Sequence, residues 1–121
     1  NVCNANSTLI HLTTAYGVIK NCMQHRAEEC HAHVVEIRVV FRGNGAAPCG
    51  PNNTSLAEAV TAAIDAAAAR GEPVVFACFD HIASCPGVLM PVLELANACK
   101  SRGVPVMLDG AHVLGQLPVE V

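Results

Sequence analysis

The stretch Val104-Pro-Val-Met-Leu-Asp-Gly-Ala-His112 decides how the rest of the chain is read. Val104 to Leu108 is an almost wholly apolar run, too short for a helix and bracketed by Gly103 and Gly110. That is the pattern of a short parallel strand covered on both faces. Asp109 falls at its carboxyl end, the edge along which open α/β sheets bind their ligands. His112 follows past Gly110 and Ala111, small residues that let the backbone turn and approach a ligand closely. Pro105 stands near the strand's start, where a missing N–H is tolerated.

Upstream of this strand, Val92, Leu95, Ala96 and Cys99 recur at helical spacing after Pro91, and Gly103 ends that helix. His81 to Met90 reads as a loop, preceded by a continuously apolar third strand, Val74 to Phe79. The helix before it opens with a capping box, Ser55-x-x-Glu58, and carries Leu56, Val60, Ala63, Ile64 and Ala67 on one stripe. Gly71 and Pro73 end it, and Arg42 to Asn53, rich in Gly, Pro and Asn, is a loop. Val34 to Phe41 gives a half-alternating second strand. Val18 to about His31 gives a helix, with Ile19, Cys22, Met23 and Arg26 along one side. Ser7 to Thr14 is the first strand, broken by Tyr16-Gly17. The order βαβαβαβ predicts an α/β fold: three layers, a mainly parallel sheet and right-handed crossover helices. The carboxyl ends of all strands then share one edge, where Tyr16, Asp80 to Ser84 and Asp109 to His112 converge.

Composition bounds the function. A hydrophobic fraction of 52% with 14% charged residues specifies a packed core and excludes a disordered segment. A net charge of −3 leaves no basic footprint for nucleic acid or an anionic membrane. No apolar run reaches the roughly 20 residues of a membrane span, and no secretory signal opens the chain. Seven scattered cysteines without Cys-x-x-Cys spacing read as free thiols, hence the cytoplasm or another reducing intracellular compartment. The absence of an initiator Met at Asn1, and the end at Val121 just past the most informative motif, point to a piece of something larger.

Asp109-Gly-Ala-His112, with Asp80-His-Ile-Ala-Ser84, Gly87 and Gly115-Gln-Leu-Pro118, resembles the large domain of the class V aminotransferase family. These are fold-type I enzymes dependent on pyridoxal phosphate, and the likeness is to the isopenicillin N epimerase-like and C–S lyase branch. It runs over nearly the whole chain and is specific from Phe76 to Val119. The resemblance implies that Asp109 keeps the cofactor's pyridine nitrogen protonated. It places His112 near the phenolic oxygen, Tyr16 against the ring, and Ser84 close to cofactor and substrate. His81 also matches the motif, though packing under its loop accounts for it. Implied too are an amino acid or related amine as substrate, a homodimer, and epimerisation, C–S lysis, desulfuration or transamination as the reaction.

The lysine that carries the cofactor is expected beyond Val121, because neither Lys20 nor Lys100 stands at a matching position. With the phosphate-binding turn expected before Asn1 and the small domain outside, residues 1–121 read as a partial cofactor-binding domain, inactive alone and without a catalytic residue. Two other readings stay open. Asp80, His81, Asp109 and His112 could serve a metal-dependent hydrolase, or the chain could be a non-catalytic fragment. Gly43-Asn-Gly45 reads as a turn instead of a dinucleotide loop, and Cys30-His31-x-His33 as a surface helix end.

Overall fold

The chain runs β1 (Thr8–Leu12), α1 (Gly17–Cys30), β2 (His33–Ile37), α2 (Leu56–Ala69), β3 (Val74–Asp80), β4 (Ile82–Ser84), β5 (Gly87–Leu89), α3 (Val92–Lys100) and β6 (Val106–Asp109). This order comes from a computed structural model that describes residues 3 to 118. Val119, the end of the stretch that carries the family resemblance, lies outside the described residues. β2, β1, β3 and β6 form one sheet in that order, and every pairing within it is parallel. All five residues of β1 are buried, as a central strand requires.

Alternation along the strands splits the core into two clusters. Ile10, Leu12, Ala77 and Phe79 face α2 and α3, meeting Leu56, Val60, Ile64 and Ala67 of the one and Val92, Leu95 and Cys99 of the other. Leu9 and Cys78, of opposite parity, face α1 and meet Met23 and Ala27. The result is the expected three-layer α/β arrangement, a parallel sheet between helices. At the start of α2, Glu58 N donates to Ser55 Oγ at 3.1 Å while Ser55 N donates to the Glu58 carboxylate at 2.8 Å. Both arms of the capping box are therefore made, satisfying amides that have no partner inside the helix. Arg102 clamps Asp65 with two bonds of 2.7 and 2.9 Å, tying the chain just past α3 to α2.

Within residues 3–118 β6 is the outermost strand of the sheet, with Met107 41% and Leu108 44% exposed. Pro105 comes just before β6, so its missing N–H falls outside the strand. Two expectations need correction. His81 to Met90 is not a plain loop but holds the antiparallel hairpin β4–β5, whose three-residue strands are too short to show a period. Finally, the second strand stops at Ile37 instead of Phe41. Val39 N turns to donate to Thr13 Oγ1 at 2.9 Å and Val40 forms a lone antiparallel bridge with Cys49, so the chain has left the sheet.

Candidate functional site

The sheet order creates a switch point. From β1 the chain moves outward to β2, then crosses back to place β3 on the other side of β1. Beyond the carboxyl ends of β1 and β3 the connections diverge, and open α/β sheets bind ligands in the crevice this leaves. A cavity of about 280 Å³ lies there, lined by Thr14, Tyr16, Asp80, Ile82, Ser84, Asp109, Ala111 and His112. Its size is at the small end of the range for ligand pockets, roughly 300 to 1,000 Å³.

Each wall follows from the local fold. Thr14 and Tyr16 come from the turn after β1, Tyr16 capping α1 with its side chain largely exposed at the rim. Asp80 ends β3, Ser84 ends β4, and Asp109 ends β6. His112 lies in the turns that follow, its carbonyl accepting from Gln116 Nε2 at 2.8 Å. Tyr16, Ser84, Asp109 and His112, read from the sequence as candidates, thus meet around one cavity. His81 is not among its lining residues; its backbone N–H donates to the Asp109 carbonyl at 2.9 Å.

Two carboxylates dominate the chemistry. Asp80 and Asp109 are register partners on adjacent parallel strands, so both side chains project from the same face of the sheet. Asp109 Oδ1 accepts from Ala111 N at 3.0 Å, closing a local turn. Asp80 is 6% exposed; its Oδ1 accepts from Thr14 Oγ1 at 3.0 Å, and its buried Oδ2 has no hydrogen-bond partner. Burial pushes the Cys78 thiol up to about 11, and the charges of Asp109 and Asp80 add to the shift. Both carboxylates therefore act on the α1 side of the sheet, where Cys78 sits.

Neither lysine is free for chemistry in this cavity. Lys20 Nζ donates to the Thr13 carbonyl at 2.9 Å and to Glu36 at 2.7 Å, while Lys100 closes α3 at the opposite edge of the sheet. Among the described residues, no group of three or more His, Cys, Asp or Glu is placed to hold a metal ion. Sequence reasoning did not single out Thr14; its place directly after the central strand, at the ligand edge, was the available signal.

No protein-family model matches the chain. Putative L-cysteine desulfhydrase 1 of Oryza sativa subsp. japonica is 38% identical over 114 residues, covering 93% of this chain and 22% of that protein. Isopenicillin N epimerase of Streptomyces clavuligerus is 36% identical over 62 residues, covering 51% of this chain and 15% of that one. The cystine C–S lyase C-DES, solved with its reaction product cysteine persulfide, superposes with a TM-score of 0.73 at 17% identity, over 94% of this chain and 27% of that one. The chain spans about a fifth of the length of the curated relatives that match most of it. Among the described residues, no helix is long and apolar enough to cross a membrane.

Proposed function

We propose, on the footing that this chain belongs to the class V aminotransferase family, that it forms one wall of a pyridoxal-phosphate site in an enzyme that opens a C–S bond of cysteine or a related amino acid. The observation that carries this reading is the cavity at the switch point, which joins an acid pair, a rim tyrosine and His112. These residues fit the cofactor. A protonated pyridine nitrogen calls for a carboxylate, and the buried Asp80 Oδ2 lacks a donor. An aromatic face at the rim can cover a planar ring.

Pyridoxal phosphate, when bound, supplies an electron sink for the pair released at the amino acid's α-carbon, provided its ring nitrogen stays protonated. Asp109, its carboxylate fixed by the Ala111 amide, would keep that proton on the ring nitrogen. Tyr16 would cover the ring and limit its access to water, and His112 and Ser84, on the same cavity wall, would offer an imidazole and a hydroxyl to cofactor or substrate. The lysine that anchors the cofactor comes from outside this wall, since Lys20 is held by Glu36 and Thr13 and Lys100 lies at the far edge. We take residues 1–121 as part of the large, cofactor-binding domain and the working enzyme as a homodimer, a reading supported by the likeness to the class V aminotransferase family. Seven free thiols support a reducing compartment, the cytoplasm or one kept equally reducing.

The test is made on the full-length protein, purified with pyridoxal phosphate and supplied with L-cysteine. Sulfide release with a cofactor absorbance band is expected. Binding of the cofactor with racemisation or amino transfer and no sulfide would move the enzyme to another branch of the family. Failure to bind the cofactor would overturn the reading.

A further inference from the structure

Asp80 is the least explained residue of the cavity. It ends a strand whose other residues are apolar, it is 94% buried by its 6% exposure, and only one of its two oxygens is satisfied. A buried carboxylate oxygen without a donor is costly, and most buried polar atoms have one. The neighbour that register gives it is Asp109, a second acid. Like charges on adjacent strands repel. Two acids side by side at a ligand edge, one with an oxygen to spare, ask for a cationic hydrogen-bond donor between them.

We propose that Asp80 is a second carboxylate for the cofactor's ring nitrogen, so that the protonated pyridine is met by the Asp80–Asp109 pair, with Thr14 as the residue that positions Asp80. This rests on the pyridoxal-phosphate reading above. The Thr14 hydroxyl donates to Asp80 Oδ1 across the switch point from the end of β1, and this fixes the carboxylate's rotation. Oδ2 is left as the acceptor for the ligand. Asp109, whose Oδ1 already closes the turn at Ala111, keeps its other oxygen and its negative charge for the same ring nitrogen.

The experiment compares two ligands on the full-length protein: pyridoxal phosphate and its analogue with CH in place of the ring nitrogen. A charge-assisted hydrogen bond that only the nitrogen can make sets the preference between them. In Asp80→Asn, the preference for pyridoxal phosphate is expected to fall about tenfold or more, while affinity for the analogue holds or improves. Thr14→Val should lose part of that preference and Thr14→Ser should retain it, because serine keeps the hydroxyl. An undiminished preference in a folded Asp80→Asn variant overturns the proposal. If that variant does not fold, the threonine pair decides: equal preference in Thr14→Val and Thr14→Ser overturns it. The parent reading fails differently, since the unmodified protein would then bind neither ligand or fail to distinguish them.

Discussion

Replacing Asp109 by asparagine separates a functional acid from a structural one. Asparagine Oδ1 can still accept from the Ala111 amide, now at 3.0 Å, so the turn after β6 survives. What disappears is one of two negative charges on register-paired residues of neighbouring strands. Strands lie about 4.8 Å apart, and unit charges about 5 Å apart repel by roughly 3 kcal/mol at an effective dielectric constant of about 20. Asp109 is only partly buried, so solvent screening reduces this to about 1 kcal/mol or less. Asp109→Asn should therefore leave thermal stability unchanged or slightly raised. Function should move the other way. A charge-assisted bond to a protonated ring nitrogen contributes about 1.5–3 kcal/mol, roughly 10- to 100-fold in selective binding of the protonated cofactor. Turnover depends on that proton throughout the reaction and should fall by two orders of magnitude or more. Thermal unfolding, cofactor titration and sulfide release on the full-length variant measure all three quantities. Near-native turnover would refute the assignment; a large loss of stability would show that Asp109 serves the fold instead.

Three further expectations concern the chain itself. Burial pushes Cys78 and Cys99 from 9.0 to about 11, so the fold favours neutral thiols; their stabilisation is fully present below pH 9 and is lost as pH rises through 11. The slope should approach about 1.4 kcal/mol per pH unit for each thiol in urea unfolding of the full-length protein, shallower in Cys99→Ala, and a flat profile to pH 11 would refute it. Borohydride trapping of pyridoxal phosphate on the 121-residue chain should give scattered substoichiometric adducts, because Lys20 is tied to Glu36 and the Thr13 carbonyl. One-to-one trapping on Lys20 alone would show that it is the nucleophile. The same chain should self-associate in sedimentation and bind apolar dye, with Leu93 79%, Leu114 85% and edge residues Met107 and Leu108 exposed; a compact monomer with cooperative unfolding would count against this.

Local chemistry in the sequence foretold the elements whose causes are local. The capping box Ser55-x-x-Glu58 carries its own instructions, and both of its bonds form. The apolar stripe of α2 likewise names its buried residues, Leu56, Val60, Ile64 and Ala67. The reading failed where partners from afar decide the outcome. Val39 leaves the second strand because the Thr13 hydroxyl, far back in the chain, takes its N–H. The apolar run Val104 to Leu108 records that its faces suit burial and leaves open where in the sheet the strand lies. Within residues 3–118 it is the outermost strand, with Met107 and Leu108 partly bare.

The candidate site divides along the same line. That Tyr16, Ser84, Asp109 and His112 would share an edge follows from parallel strands alone, because every carboxyl end points the same way. Which of them are neighbours depends on strand order and register, and neither is written in any one segment. β3 lies between β1 and β6, so Asp80 has Thr14 on one side and Asp109 on the other. Had β6 followed β2 at the far side, the two acids would stand three strands apart, and each could be satisfied as an ordinary turn residue. A one-residue shift of β6 would send Asp109 to the face of α2 and α3, away from the cavity. The acid pair is therefore a property of topology, and its unsatisfied oxygen is the feature that most directly calls for a cationic ligand.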